Sequence, residues 1–250
     1  MNLPLTRLLV TGGLIALGGW LWTSYTEARD RPSSTEMLAS LPATSHRPVL
    51  VELYQSQGCS SCPPANANLN AIAGRADVVA LSFAVTYWDQ LGWKDRFAQP
   101  QFTARQVSYA RSNPGSVVGT PQVWINGTRH IVGSDPRELA QLITRAGSDR
   151  GPQIVINRRV AQIAAGAAPI RVADVWLANY DPRSIEVAIG AGENQGRTLP
   201  HRNIVRELTL IGHWSGGAAR ISVPPARAGL RQAVFIQAGS GGPILASAKT

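Results

Sequence analysis

Two cysteines, Cys59 and Cys62, are the only thiols in this 250-residue chain, and two serines separate them. Such a pair supports thiol–disulfide exchange, soft-metal ligation or a short covalent clip. Which one applies depends on the flanking residues. The stretch Pro48-Val49-Leu50-Val51-Glu52-Leu53-Tyr54 reads as a buried strand, and Pro63-Pro64-Ala65-Asn66-Ala67-Asn68-Leu69 reads as the first turns of a helix from about Pro64 to Ala73. A cysteine at a helix start lies beside unpaired backbone N–H groups and the positive end of the helix dipole, and both favour a thiolate. Cys59 is therefore the expected nucleophile. Cys62, one turn further in, is the expected resolving thiol, and the hydroxyls of Ser60 and Ser61 are placed to hydrogen-bond a thiolate.

Further candidates come from the rest of the chain. Thr120-Pro121 precedes an apolar strand, and a cis proline there would shape a substrate groove beside the cysteines. Glu52 stands in an apolar strand seven positions before Cys59; buried, it would carry protons for the resolving thiol, and at an edge it would be an ordinary exposed carboxylate. Trp88, Asp89 and Trp93 lie in an aromatic and charged stretch with Tyr87 and Lys94, which reads either as a lid or substrate wall or as aromatic packing of an irregular loop. His130 is a third group for a soft ion such as Cu(I), and equally a residue that closes a hairpin strand. Structural zinc needs four ligands, and the chain has no second Cys pair or spaced His pair. No Gly-rich phosphate loop and no Gly-x-Ser-x-Gly elbow is present. No metal site and no cofactor is expected.

The elements that must position these residues alternate. The first strand and helix are followed by an apolar run from Val78 to Val85 and a helix from about Phe102 to Ser112. A β-hairpin turning at Asn126-Gly127 comes next, then a helix capped by Asp135 with Pro136 in its first position. A strand feeding a Cys-x-x-Cys at a helix start is the thioredoxin arrangement, and this order extends it over residues 48–147. Gly147 to Pro152 reads as a boundary. Residues 152–250 then carry short alternating runs divided by Gly and Pro turns, the pattern of a β-sandwich. The predicted fold class is an α/β thioredoxin-like domain followed by an all-β sandwich-like domain.

The formal charge of +9 comes from 24 Lys and Arg against 15 Asp and Glu, scattered through both halves rather than gathered in a stripe. That distribution suits a solvated basic surface near anionic envelope polymers and argues against a nucleic-acid partner. Arg7 precedes an uncharged apolar segment from Leu8 to Trp22, followed by polar residues and the small-residue pattern Thr26-Glu27-Ala28. Residues 1–28 thus read as a signal peptide or, uncleaved, as an N-terminal membrane anchor, and residues 29–47 as a linker. Either form predicts a periplasmic or secreted location, where a disulfide persists.

The motifs taken together resemble a family. Val51 to Ala65 around the cysteines, Tyr87-Trp88-Asp89 with Leu91-Gly92-Trp93-Lys94-Asp95, Thr120-Pro121-Gln122, and Gly192 to Leu199 with Asn203-Ile204-Val205 are similar to the secreted thioredoxin-like proteins catalogued as domain of unknown function 1223. The resemblance runs from about Pro48 to the C-terminus and implies a thioredoxin-like fold and an exported location, without a substrate. Gly119, before Thr120, departs from the aromatic residue that the pattern leads one to expect. The polar groups of the last motif, Glu193, Asn194, Arg197, His201 and Asn203, fall on an expected long hairpin loop that reads as folding back on the cysteine site, as binding a partner or, by preference, as satisfying its own backbone.

The function expected from these residues is that of an exported thiol–disulfide oxidoreductase. Cys59 attacks, Cys62 resolves, Pro121 and Thr120 shape the groove with Trp88, Asp89 and Trp93, and Glu52 relays protons. Its partners would be protein or small-molecule thiols and disulfides, including an envelope redox partner. The competing class is a non-enzymatic module for partner binding or Cu(I) handling.

Overall fold

The computed structural model describes residues 47–147 and 151–250. The expected signal or anchor and nearly all of the expected linker lie outside these residues. Within them, no helix is long and apolar enough to cross a membrane.

The first half runs β1 (Val49–Gln55), α1 (Cys62–Ile72), β2 (Val78–Ala84), a single 3-10 turn (Asp89–Leu91), α2 (Pro100–Ser112), β3 (Gln122–Ile125), β4 (Arg129–Ile131) and α3 (Pro136–Ala146). Local chemistry explains the boundaries. A proline occupies the first or second position of each of these three helices, where the missing N–H is no loss. Asp135 accepts a hydrogen bond from the Arg137 N–H at 2.8 Å, a cap of the kind that stabilises a helix by about 1 kcal/mol. Asn126 and Gly127 both adopt positive φ in the three-residue turn between β3 and β4. The Asn126 carboxamide also accepts from the Leu50 N–H at 2.8 Å and so ties the hairpin to β1.

The second half supplies nine strands: β5 (Ile154–Asn157), β6 (Val160–Ile163), β7 (Ala173–Asp181), β8 (Ile185–Ala188), β9 (Thr198–His201), β10 (Ile204–Trp214), β11 (Ala219–Ser222), β12 (Arg231–Gln237) and β13 (Ile244–Lys249). Here the structure corrects the expected fold class. There is no α/β thioredoxin-like domain followed by a separate all-β sandwich-like domain. One eight-stranded mixed sheet, in the order β13-β12-β7-β10-β2-β1-β3-β4, draws four strands from each half.

The physical reason lies in β2. Every residue of β2 is buried, yet in a sheet made from the first half alone it would be an edge strand with a row of unpaired backbone groups. β10 covers that edge. It pairs with β2 in parallel at Ile204 and Ser82, and the Asn203 carbonyl accepts from the Ser82 N–H at 2.9 Å. Asn203, at φ 50°, also donates its side-chain amide to the carbonyl of Ala80 at 2.9 Å. Periodicity along the chain reveals strands, but not which strands will pair.

Both faces of the sheet are covered. On one face α2 packs across strands of both halves, with Phe102 and Tyr109 among Leu50, Tyr54, Phe83, Trp124, Ala178, Tyr180 and Phe235. On the other, α1 and α3 pack Ala65, Leu69, Ile72, Leu139 and Ile143 against Val51, Leu53, Ala80 and Val123. Further along that face a three-stranded sheet, β11-β6-β5, encloses a second apolar cluster with β7 and β12. β8 and β9 form a small ribbon of their own. Its position decides what surrounds the cysteines.

Candidate functional site

β1 ends at Gln55, and the chain turns through Ser56–Ser61 into α1. The Cys59 N–H donates to the Ser56 carbonyl at 3.2 Å, the Gly58 N–H to the Ser56 hydroxyl at 3.1 Å, and the Cys62 N–H to the Cys59 carbonyl at 3.2 Å. These bonds set the two sulfurs together. Cys59 and Cys62 are joined as a disulfide, with their α-carbons 5.4 Å apart. The Ser61 hydroxyl lies 3.3 Å from the Cys59 sulfur, at the start of the helix. Ser60 and Ser61 are exposed, whereas Cys59 is 0% and Cys62 2% exposed, so the bond is reached only past its neighbours.

Several of the sequence-predicted neighbours are in place. The Thr120–Pro121 bond is cis, and Pro121 immediately precedes β3, which pairs with β1. The Ser61 hydroxyl reaches the Thr120 carbonyl at 3.5 Å. The Trp88 indole donates to the Thr120 hydroxyl at 2.7 Å, and its ring lies against Gly58, where a β-carbon would come within 3.8 Å. The Gly119 carbonyl accepts from the buried Gln106 amide at 2.7 Å. Trp88 and Thr120 therefore form one wall beside the cysteines.

Trp93 and Asp89 support the site from behind. The Trp93 indole donates to the Gln57 side-chain carbonyl at 2.9 Å, and Asp89 accepts from the Asp95 N–H at 3.1 Å. Asp95, which sequence reasoning did not single out, is the residue this arrangement serves. Its carboxylate accepts from the Gln57 N–H at 3.0 Å and from the Phe97 N–H at 2.9 Å. Burial pushes its pKa up to about 6; the two backbone hydrogen bonds hold it down in part, and the charge of Asp89 adds to the rise. A carboxylate that titrates near neutrality is thus bonded two residues before Cys59.

Glu52 lies elsewhere. Val51 and Leu53 face α1, whereas Leu50 and Tyr54 face α2, and Glu52 follows the latter by the two-residue alternation of the strand. Its carboxylate is fully buried and takes the Arg105 guanidinium at 2.7 and 3.3 Å, together with the Tyr109 hydroxyl. Burial works against the Arg105 cation, but the Glu52 charge, the Tyr109 and Tyr54 phenols and the hydrogen bond to Glu52 together outweigh it and raise its pKa. Burial likewise raises the pKa of Tyr54 and of Tyr109. Glu52 is thereby engaged in a closed ionic cluster on the opposite face from the helix that carries Cys62.

The soft-metal alternative loses its third group. His130 bonds to Ser116 through Nε2 at 3.0 Å and packs on Trp124 with ring centroids 4.6 Å apart. Among the described residues there is no cluster of three or more His, Cys, Asp or Glu side chains arranged to hold a metal ion.

The loop from the second half is the largest departure from expectation. The β8–β9 connection does not simply satisfy itself. It closes over the cysteine loop. Glu193 accepts from the Ser60 N–H at 3.0 Å and from the Ser60 hydroxyl at 2.7 Å, and these bonds hold its pKa below the usual carboxylate range. Asn194 is fully buried and donates to the carbonyls of Gln57 at 2.9 Å and Cys59 at 2.8 Å, while Arg197 holds its amide oxygen at 2.8 Å. Gly192 adopts φ +76°, a conformation that favours glycine, and a β-carbon there would lie in ordinary contact with Trp93 and Gly58. β9 then staples α1 itself: the Pro200 carbonyl accepts from Asn66 at 2.8 Å and from Asn70 at 3.0 Å, and His201 Nδ1 bonds to Asn66 at 3.0 Å. Burial, with Arg96 adding to it, lowers the His201 pKa to about 4. Glycines flanking a Glu-Asn pair were the available sequence signal, but nothing local links residue 194 to residue 59.

Residues 50–237 match the family model described as "Protein of unknown function (DUF1223)". The chain belongs to this family. Among solved structures, it resembles a crystal structure of an Agrobacterium tumefaciens protein at 29% identity and a TM-score of 0.68, covering 83% of this chain and 95% of that one. It also resembles HBP35 of Porphyromonas gingivalis at 12% identity and a TM-score of 0.55, covering 84% of this chain and 76% of that one; this second likeness concerns the fold alone. No curated protein matches.

Proposed function

We propose that this DUF1223 protein is an exported thiol–disulfide oxidoreductase acting on protein or small-molecule thiols and disulfides of the cell envelope. The observation that carries the reading is the Cys59–Cys62 disulfide at the start of α1, with the Ser61 hydroxyl on the Cys59 sulfur and the Trp88–Thr120 wall beside it. Export rests on the apolar segment from Leu8 to Trp22 behind Arg7.

In the reductive direction, the Cys59 thiolate attacks one sulfur of a substrate disulfide. A mixed disulfide forms, and the other substrate sulfur leaves as a thiolate that takes a proton from solvent. Cys62, having lost its proton, then attacks the Cys59 sulfur and expels the second substrate thiolate. The substrate gains two electrons and the protein loses two, restoring the Cys59–Cys62 bond. The Ser61 O–H donates to the Cys59 thiolate before attack, and Asp95 fixes the Gln57 backbone from which the Cys loop departs.

Turnover tests the proposal. Purified protein should reduce insulin with dithiothreitol as electron source or rearrange scrambled disulfides, and Cys59→Ala should abolish both activities. Wild-type protein inert in both assays would remove the enzymatic reading.

A further inference from the structure

Glu193 puts a negative charge on the active-site side of the cysteine loop. Its carboxylate takes the backbone N–H and the hydroxyl of Ser60, the residue immediately after Cys59, at 3.0 and 2.7 Å. Ser60 directly precedes the N-cap residue of α1, so the carboxylate sits at the end of the helix whose dipole would otherwise favour the Cys59 thiolate. Among the described residues no cation forms an ion pair with it. The Arg197 guanidinium is directed to the Asn194 amide oxygen, and Asp95, on the far side of Gln57, is itself acidic.

We infer that Glu193 is a positioning residue that sets the redox poise of the Cys59–Cys62 pair toward electron donation. This inference rests on the oxidoreductase reading. A nearby carboxylate repels a Cys59 thiolate but has no comparable effect on a neutral disulfide. It therefore destabilises the reduced form relative to the oxidised form, lowers the reduction potential, and makes the reduced protein a stronger reductant. The two bonds to Ser60 keep the charge in place, and the Asn194 bonds to the Gln57 and Cys59 carbonyls keep the loop in place.

Glu193→Gln isolates the charge, because its amide oxygen still accepts from Ser60 and the exposed site tolerates the change. Equilibration of wild type and variant with glutathione buffers, read by thiol trapping, should show the variant about threefold easier to reduce, equivalent to a potential roughly 14 mV higher. The Cys59 thiolate pKa, followed by thiolate absorbance or alkylation rate against pH, should fall in the variant. Raised salt should shrink both differences. Equilibrium constants within twofold of each other, or a variant that is harder to reduce, would overturn the inference. The equilibrium measurement needs no substrate turnover, so an inert wild type in the insulin assay would sink the oxidoreductase reading while leaving this result separately readable.

Discussion

Glu52 and Asp95 are both buried carboxylates within the same fold, and the contrast between them separates structural charge from responsive charge. Glu52 has a cation, Arg105, and a phenol, Tyr109, bonded to it inside the core under α2. Asp95 has backbone N–H donors and, among the described residues, no cation bonded to it, and it sits behind the cysteine loop. A buried ion pair with satisfied partners is a fixed element of architecture, whereas a buried acid held by N–H groups alone changes charge within the ordinary pH range. In the proposed exchange, the buried acid bonded to the cysteine loop is therefore Asp95 rather than Glu52.

The largest effect should come from breaking the paired site. Arg105→Met leaves the Glu52 charge buried without its cation and should cost about 3–5 kcal/mol, read as a loss of denaturation midpoint. Glu52→Gln together with Arg105→Met should recover much of that loss. If the single variant is as stable as wild type, the cluster is not structural.

Asp95 should give a smaller, pH-dependent effect. Its folded pKa lies above its unfolded value, so the stability linked to it is complete below about pH 4 and declines as pH rises through about 6. The decline is about 3 kcal/mol in size. Asp95→Asn should remove this contribution when thermal unfolding is followed from pH 4 to pH 7. His201 supplies the opposite slope over an overlapping range. Its folded pKa is depressed to about 4, so the stability linked to it is present above about pH 6.5 and lost as pH falls through 4. In wild type the two contributions largely cancel between about pH 4 and 6, so Asp95→Asn should unmask stability that rises with pH, His201→Asn should unmask stability that falls with pH, and the double variant should show neither slope.

The smallest stability effect belongs to the loop. Asn194→Ala removes two hydrogen bonds to the cysteine loop and should cost on the order of 1–2 kcal/mol. It should also speed reduction of the disulfide by dithiothreitol, because both sulfurs are enclosed while the loop is bonded down. An unchanged rate would mean that this loop does not limit access.

What the sequence disclosed was local. The cysteine spacing, Thr120-Pro121, the Asn126-Gly127 turn and the Asp135 cap each depend on neighbours within a few residues, and each occupies its expected place. Glu52 is buried, as one of its two readings had it, but the count back to Cys59 left out the alternation of the strand, which turns residue 52 to one face and residue 53 to the other. Asp95 was hidden because one of the N–H groups that holds it belongs to Gln57, 38 residues earlier in the cysteine loop. Asn194 and Asn203 were hidden for a broader reason: each donates its side-chain amide to backbone carbonyls more than a hundred residues away, and no pattern along the chain encodes such a partner. The same limit concealed the joining of β2 to β10, and with it the single sheet.

The central claim is that Cys59 exchanges disulfides and Cys62 resolves them. Mass spectrometry of Cys62→Ser protein, mixed with oxidised glutathione or a disulfide-bonded peptide, tests it most directly. The account predicts a stable mixed disulfide on Cys59 in this variant, and in reduced wild type a transient adduct that resolves to the Cys59–Cys62 bond. A Cys59 that forms no adduct, or a wild type that retains one as long as the variant does, would contradict it.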